Sequence, residues 1–171
     1  LQYLVGEWEF MGLPFATSPG VLIPRPDTEI LVEQALALLP QEQPLHLLDL
    51  CCGTGCIGLS LAHFLSRAHV TLCDLYPAPL SLTQQNAQKN GLTGRITVLR
   101  EDVLHPTLHG VFDCIVSNPP YLTATDLQNL QKEVAYEPVE ALFGGEDGMQ
   151  FYRAILSYYP VLLAPGGWLL L

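Results

Sequence analysis

The 171-residue sequence has few basic side chains. Lys and Arg together number 7 against 17 Asp and Glu, and the formal net charge at pH 7 is −10. Proteins that bind nucleic acids tightly usually carry a basic patch that neutralises phosphates. The shortage of basic residues therefore argues against direct binding of nucleic acid and favours a protein or a small molecule as the partner.

Long apolar runs are also missing. No run approaches the roughly 18–20 residues that a membrane-spanning helix needs, and the first residues lack the basic and apolar segments of a secretory signal. Hydrophobic residues make up 49% of the chain, which is enough for a buried core at this length. We expect a folded, cytoplasmic protein with no membrane partner.

The cysteines lack the spacing of a metal site or a disulfide framework. Their number is odd, and they form no Cys-x-x-Cys pair and no Cys/His pattern typical of zinc. We expect buried free thiols in a reducing compartment and no bound metal. The five cysteines are Cys51, Cys52, Cys56, Cys73 and Cys114.

Short apolar segments alternate with helical ones from residue 46 onward. This alternation predicts an α/β fold with a doubly wound, mostly parallel sheet of the Rossmann-like type. In such sheets, ligands bind beyond the carboxyl ends of the strands. The predicted strands are 46–50, 69–74, 96–100, 111–117 and a last one after residues 165–167, and the predicted helices are 56–66, 77–90, near 126–133, and 147–163.

The segment before the sheet predicts a hairpin and a helix. Residues 7–17 predict a short hairpin or an extended arm. Residues 24–29 (Pro-Arg-Pro-Asp-Thr-Glu) lead into a helix, for which Asp27 or Thr28 can serve as the N-cap. Pro40 is expected to end that helix.

A glycine-rich loop follows the first predicted strand of the sheet. Residues 53–58 (Gly-Thr-Gly-Cys-Ile-Gly) fit the G-x-G-x-x-G pattern of dinucleotide sites. Asp74 lies about twenty residues further on, where such sites place an acid for the ribose. On this segment alone, a nicotinamide cofactor remains an alternative.

Acidic residues lie near the ends of three successive predicted strands. Asp49 precedes the glycine loop, where a carboxylate would repel a pyrophosphate, and Asp74 and Asp102 follow at the next two strands. A single Asp in such a place is often only a helix cap. Three together indicate a ligand with hydroxyl groups, an amino-bearing base and positive charge, which describes S-adenosylmethionine.

Residues 118–121 (Asn-Pro-Pro-Tyr) follow an apolar strand and are the most informative segment. Both prolines lack an N–H, so the strand ladder ends there and carbonyl oxygens are left without competing donors. Asn118 adds an acceptor, and Tyr121 adds a ring. The pattern suits a planar –NH2 group held by both hydrogens, and such positioning can be worth up to roughly 7–11 kcal/mol. The alternative is an ordinary turn.

Several stretches together carry a resemblance to a known family. They are residues 20–29 (Gly-Val-Leu-Ile-Pro-Arg-Pro-Asp-Thr-Glu), 49–55, 117–121 (Ser-Asn-Pro-Pro-Tyr), 137–138 and 144–148. The chain resembles, along nearly its whole length, the catalytic domain of the release-factor glutamine methyltransferases. The glycine loop and Asn-Pro-Pro-Tyr are shared with amino-methyltransferases of DNA and RNA, whereas residues 24–29 are more specific to the family.

The resemblance implies a class I methyltransferase fold with S-adenosyl-L-methionine as cofactor. It implies methylation of the glutamine side-chain amide in the Gly-Gly-Gln motif of peptide chain release factors. It also implies that residues 21–171 are an incomplete domain, truncated at the C-terminal end of the sheet, and that residues 1–20 are an arm leading to a missing helical domain. Two alternatives stay open: methylation of an adenine in DNA or RNA, and a non-catalytic nucleoside-binding fragment.

The resemblance also implies the roles of individual residues. Asn118 and the Pro119 carbonyl would accept the two amide hydrogens while Tyr121 packs on the amide plane, and these three with Pro120 would bind the substrate. Many relatives begin the loop with Gly where this chain has Cys51 and Cys52, so a positive φ is not expected at these two positions. Two roles remain open for Arg25, a contact with the cofactor carboxylate or the substrate and a solvated position in a loop. Glu137 is expected to be structural. The implied cofactor residues are Asp49, Cys51, Cys52, Gly53, Thr54, Gly55, Asp74, Asp102, Val103 and Asn118.

Overall fold

The computed structural model describes residues 2–131 and 134–171. The strands are β1 (Glu7–Phe10), β2 (Leu13–Ala16), β3 (Leu45–Leu50), β4 (Ala68–Asp74), β5 (Ile96–Arg100), β6 (Phe112–Ser117) and β7 (Leu163–Leu170). The α-helices are α1 (Gln2–Val5), α2 (Glu29–Leu38), α3 (Cys56–Phe64), α4 (Pro77–Lys89), α5 (Ala124–Gln128) and α6 (Gln150–Tyr158). Short 3-10 turns cover Pro26–Thr28, Thr93–Arg95, Val134–Tyr136, Val139–Ala141 and Pro160–Leu162.

Strands β3 to β7 form one parallel sheet in the order β5-β4-β3-β6-β7. The chain builds outward from β3 through β4 to β5, then crosses back and continues through β6 to β7. The strand order therefore reverses between β3 and β6, and the loops after these two strands lie side by side. The predicted α/β class and doubly wound parallel sheet are confirmed.

Helices cover both faces of the sheet, as the alternation of side chains along the strands requires. On one face, Leu47 and Val70 pack with α2, α3 and the hairpin; on the other, Leu48 and Ile115 pack with Ile155 of α6. All these side chains are buried. The two cores hold the strand ends, and hence the loops that follow them, in fixed positions.

The predicted hairpin is present as β1 and β2, which pair antiparallel with Phe10 opposite Leu13. It is attached to the rest of the domain through α2, because the backbone N–H of Met11 donates to Glu29 Oε1 over 2.7 Å. The side chains of Phe10 and Phe15 meet edge to face within the core. The hairpin is thus packed into the domain.

The predicted N-cap at residues 27 and 28 is wrong. A 3-10 turn precedes α2, and Thr28 already has helical backbone angles, so its side chain makes no capping hydrogen bond. A cap residue needs non-helical angles to turn its oxygen toward the free N–H groups. A full capping box occurs instead at α5, between Thr123 and Asp126.

The late helices are shorter than predicted. Helix α5 ends at Gln128, and residues 132 and 133 of the predicted 126–133 segment lie outside the described part of the chain. Helix α6 ends at Tyr158, and Pro160 opens a 3-10 turn. Proline has no N–H to continue the α-helical hydrogen bonds, so the helix cannot run on to residue 163.

The last strand begins earlier than predicted, and residues 165–167 lie inside it. Leu163 pairs with Phe112, and the next pair is Trp168 with Cys114, so residues 164–167 bulge opposite a single residue of β6. Proline and glycine are tolerated in strands at such bulges. The Pro-Gly-Gly segment is therefore a strand irregularity and not the loop before the strand.

Within the described residues, no helix combines the length and apolar character needed to cross a membrane. The five cysteines are free thiols, four of them buried. In the same part of the chain, no three His, Cys, Asp or Glu side chains come together as metal ligands would.

Candidate functional site

Two loops meet at the point where the strand order reverses. Leu50 at the end of β3 is opposite Ser117 at the end of β6, so the glycine loop and residues 118–121 leave the sheet together. The Ser117 hydroxyl donates to the Leu50 carbonyl over 2.7 Å and joins the two strand ends. This is the position at which open parallel sheets bind ligands.

The glycine loop turns sharply into α3. Gly53 and Gly55 have φ values of 57° and 79°, and Cys51 has a φ of 57° although it carries a side chain. A non-glycine residue in this region costs about 1–3 kcal/mol, and such strain tends to cluster at functional sites. The expectation against a positive φ is therefore wrong for Cys51 and holds for Cys52.

Asp74, at the end of β4, holds the loop from the side. One carboxylate oxygen accepts from the Gly53 N–H over 3.0 Å, and the other accepts from the Tyr76 N–H over 3.2 Å. Burial raises the pKa of this carboxyl. Each carboxylate oxygen has a second lone pair, so Asp74 can still accept hydrogen bonds from a ligand.

A cavity of about 490 Å³ lies over these strand ends. Of the predicted cofactor residues, it is lined by Cys51, Cys52, Gly53, Thr54, Asp74, Asp102, Val103 and Asn118, and Pro120 also reaches it. Its other acidic lining residues are Glu101 and Glu140, and Arg25 is its single basic side chain among the described residues. Val21, Leu75 and Phe151 provide apolar wall. The lining offers mainly hydrogen-bond acceptors and apolar surface.

Asp102 and Glu101, just after β5, both line this cavity. Asp102 accepts from the Leu104 N–H and pairs with His105 Nδ1, both over 2.9 Å, and the hydrogen bond with His105 lowers its pKa. Glu101 is buried and accepts from the backbone N–H and hydroxyl of Thr107 over 2.6 and 2.8 Å. Glu101 was not among the predicted site residues, although its place beside Asp102 at a strand end was a usable signal.

The structure corrects the expected contact of Asp49 with the ligand. Asp49 is fully buried behind the loop and does not line the cavity. One oxygen accepts from the Gly58 N–H over 2.8 Å, and in the described part of the chain the other has no partner. Burial raises the pKa of Asp49 to about 7. Gly55, another predicted cofactor residue, is also buried and does not line the cavity; it is the N-cap residue of α3.

A second cavity, of about 390 Å³, also adjoins residues 118–121. Asn118, Pro119 and Tyr121 line it, and Tyr121 is 55% exposed. Asn118 and Arg25 line both cavities, as do Leu22 and Ala141. Asn118 therefore lies at the junction where the two cavities meet.

The side chain of Asn118 is held by Thr28 from the turn before α2. Asn118 Nδ2 donates to Thr28 Oγ1 over 3.1 Å, and Thr28 is buried. The amide of Asn118 is only partly buried. Its carbonyl end is then the end left to accept a hydrogen bond from a ligand at the junction.

Residues 142–148 pack directly on the backbone of residues 120–122. The Leu122 N–H donates to the Leu142 carbonyl and the Gly144 N–H donates to the Leu122 carbonyl, each over 2.8 Å. A Cβ at Gly144 would lie 2.6 Å from the Tyr121 Cα, and one at Gly148 would lie 2.3 Å from the Tyr121 carbonyl oxygen. Only glycine permits this approach, which fixes the segment after Asn118.

Arg25 is fixed by an ion pair with Glu137. Glu137 is buried, and its second oxygen accepts from the Ile23 N–H over 3.2 Å. This contact connects the segment before α2 to the segment that precedes residues 142–148. It agrees with a structural role for Glu137 and holds Arg25 at the junction of the cavities.

Two polar residues of α4 support the glycine loop, and the sequence analysis missed both. The Thr83 hydroxyl donates to the Gly53 carbonyl over 3.0 Å, and Asn86 Nδ2 donates to the Thr54 carbonyl over 2.9 Å. Both side chains are fully buried. Their spacing of three on the inner face of a helix was the available signal.

Comparison with known proteins relates the whole chain to methyltransferases. A family model described as "Methyltransferase small domain" matches residues 23–146. The release factor glutamine methyltransferase of Geobacter sulfurreducens is 46% identical over 99% of this chain and 59% of its own length. That of Moorella thermoacetica is 46% identical over 100% of this chain and 60% of its own length. The chain thus spans about three fifths of the length of these curated relatives.

Solved structures show the same fold. A methyltransferase from Pyrococcus furiosus matches with a TM-score of 0.63 and 18% identity, over 92% of this chain and 67% of its own. SAM-bound CalS10, an amino pentose methyltransferase from Micromonospora echinaspora, matches with a TM-score of 0.51 and 25% identity, over 82% and 47% of the two chains.

Proposed function

Because the chain belongs to the family of the methyltransferase small domain, we propose that it transfers a methyl group from S-adenosyl-L-methionine to the side-chain amide nitrogen of a glutamine. The substrate is the Gly-Gly-Gln motif of peptide chain release factors. The observation that carries the proposal is the position of Asn118 between two cavities, one beside the glycine loop and one beside Tyr121. The curated relatives, named for release factor glutamine methylation, support the choice of substrate.

The lining of the first cavity fits this cofactor in its chemistry. Asp74 and Asp102 offer acceptors for ribose hydroxyls and for an adenine amino group, and Val103 offers apolar surface to the base. The carboxylates also favour a ligand that carries positive charge. A pyrophosphate would meet these acids with Arg25 as the single basic residue of the described lining, which disfavours a nicotinamide dinucleotide.

The second cavity would hold the glutamine amide. Asn118 Oδ1 accepts one amide hydrogen, the Pro119 carbonyl accepts the other, and Tyr121 packs against the amide plane. An amide nitrogen is a poor nucleophile because its lone pair is delocalised, so fixing both hydrogens directs that lone pair toward the first cavity. Positioning of this kind lowers the barrier without a strong base.

The bound cofactor supplies an electrophilic methyl group on a positively charged sulfur. The bond from the methyl carbon to sulfur would break as the carbon bonds to the amide nitrogen, and a neutral thioether would leave. The methylated nitrogen would be cationic and strongly acidic and would lose its extra proton to water. The chain therefore needs no general base at the nitrogen. Its contribution is to orient the amide between Asn118 and Tyr121.

The charge of the chain supports a protein substrate. A net charge of −10 gives no electrostatic attraction for a phosphate backbone. A release factor acts in translation termination, which places the proposed reaction in the cytoplasm. Neither a nucleic acid nor a membrane is needed as a partner.

A methyl-transfer assay tests the proposal. The full-length protein is incubated with radiolabelled S-adenosylmethionine and either a release factor or the same factor with Gln replaced by Ala in its Gly-Gly-Gln motif. Label in the first and not in the second supports the proposal. Label transferred to adenine-containing DNA or RNA instead would replace it with nucleobase methylation, and cofactor binding without any transfer would indicate a nucleoside-binding module.

A further inference from the structure

The side-chain amide of Asn118 needs a defined orientation for the proposed reaction. Its two ends differ, because Oδ1 accepts hydrogen bonds and Nδ2 only donates them. A glutamine –NH2 group also donates. If the Asn118 amide were rotated by half a turn, its Nδ2 would face that –NH2 group and no hydrogen bond could form. The terminal torsion of asparagine is broad and roughly two-fold. The orientation therefore depends on a partner outside the residue.

Thr28 is that partner in the structure. Its Oγ1 accepts the hydrogen bond from Asn118 Nδ2 over 3.1 Å, although the two residues are 90 positions apart. Nδ2 is thereby directed to the turn before α2, and Oδ1 is left for the junction of the two cavities. No cofactor contact is needed for this arrangement.

Thr28 is itself held firmly. Its backbone N–H donates to the Arg25 carbonyl over 3.0 Å at the end of the 3-10 turn, and its side chain is buried. A β-branched side chain has restricted χ1 rotation. The hydroxyl thus has a fixed position relative to α2. Thr28 makes no capping hydrogen bond in this helix, so the helix terminus does not account for its hydroxyl.

We propose that Thr28 is a positioning residue for methyl transfer: it turns the Asn118 amide so that the carbonyl oxygen faces the substrate nitrogen. This inference rests on the proposed function and adds a residue to it. Thr28 also lines the first cavity, but its hydroxyl is engaged with Asn118 Nδ2. Removal of the hydroxyl alone should therefore affect the chemical step far more than the binding of cofactor or release factor.

Two substitutions separate the hydroxyl from the shape of the side chain. Thr28→Val keeps the branched shape and removes the hydroxyl, whereas Thr28→Ser keeps the hydroxyl. The full-length variants are compared for kcat, for KM toward a release factor, and for the Kd of S-adenosylmethionine. Thr97→Val is the matched control, because Thr97 is an exposed strand residue whose hydroxyl bonds only to His69 in the described contacts.

We expect kcat to fall roughly tenfold in Thr28→Val, as the loss of one orienting hydrogen bond implies, with Kd and KM within about twofold of the parent. Thr28→Ser and Thr97→Val should retain kcat within about threefold. An unchanged kcat in Thr28→Val would overturn the inference. So would an equal loss in Thr28→Ser, or a loss confined to cofactor affinity.

A second measurement does not depend on activity. In ¹⁵N-labelled protein, the Asn118 side-chain proton bonded to Thr28 should exchange slowly with solvent, and this protection should vanish in Thr28→Val and persist in Thr28→Ser. Unchanged protection in Thr28→Val would refute the contact. If the parent protein methylates no release factor, the proposed function fails, and this exchange measurement still decides whether Thr28 orients the Asn118 amide.

Discussion

Asn86 connects the amino-terminal hairpin to the glycine loop: its Nδ2 donates to the carbonyls of Ala16 and Thr54, and its Oδ1 accepts from the Ala16 N–H over 2.7 Å. The side chain is fully buried. One amide thus satisfies three backbone groups from two distant segments. The hairpin is part of the frame that supports the cofactor cavity.

Replacement of Asn86 should weaken both the fold and the cavity. In Asn86→Leu, the Ala16 N–H, the Ala16 carbonyl and the Thr54 carbonyl lose their hydrogen bonds to residue 86, which should lower the free energy of unfolding by about 2–4 kcal/mol. Cofactor affinity should fall because Thr54 lines the cavity. Urea unfolding and calorimetric titration with S-adenosylmethionine measure the two effects. Gln85→Leu, at the exposed neighbouring position on α4, is the control, and equal stability of both variants would contradict the prediction.

Removal of the Asn118 side chain should separate chemistry from cofactor binding. Asn118→Ala should reduce methyl transfer at least a hundredfold, since it removes an acceptor that orients the nucleophile. The affinity for S-adenosylmethionine should change little, because the other lining residues of that cavity remain. A radiolabel assay and calorimetric titration measure both, with Gln84→Ala on the surface of α4 as control. Equal turnover would refute the role assigned to Asn118.

A side chain at Gly148 should displace the segment after Asn118. Gly148 has a φ of 72°, and its Cβ would lie 2.3 Å from the Tyr121 carbonyl oxygen, so the backbone must move. Gly148→Ala should lower the free energy of unfolding by about 1–3 kcal/mol and reduce kcat more than cofactor affinity. Gly94→Ala is the matched control, because a Cβ there meets nothing within 4 Å. A fully active Gly148→Ala variant would show that the contact is dispensable.

Asp49 should make stability depend on pH. Its folded pKa, raised to about 7 by burial, lies above the ordinary value of 3.8. Between these two values the folded state binds more protons than the unfolded state, so stability should fall as pH rises from about 4 to about 7 and then level off. Burial also raises the pKa of Asp74, which acts in the same direction.

Asp49→Asn tests this dependence, because it keeps an acceptor for the Gly58 N–H and removes the titrating group. Urea midpoints measured from pH 5 to pH 8 should vary less in the variant than in the parent protein. Asp113→Asn, at a partly exposed carboxyl whose contact is the His46 N–H, is the control. Identical pH profiles for the parent and Asp49→Asn would show that Asp49 does not carry the effect.

The sequence predicted the strands and the edge of the sheet at which polar residues gather. Both predictions use local properties, namely the spacing of apolar residues along the chain and the alternation of strands with helices. The alternation of side chains along β3 also indicates on which face of the sheet Asp49 lies. Leu47 and Asp49 lie two residues apart in β3 and so point to the same face, the one covered by α3. That placed Asp49 under a helix and away from the cavity.

The remaining features depend on contacts between distant segments. The hydrogen bond of Asn118 with Thr28 joins positions 90 residues apart, and Asn86 reaches back 70 residues to Ala16. No local pattern specifies such pairs. The close packing of residues 144–148 on Tyr121 likewise depends on how β6 and α6 are placed relative to each other.

The pairing of Thr28 with Asn118 also limits how the motif can be transplanted. A peptide that copies residues 117–121, or a foreign sheet that receives only those residues, would contain the asparagine without the hydroxyl that turns it. Grafting this chemistry onto another scaffold therefore requires both segments, the turn that contains Thr28 and residues 117–121, at the same relative position.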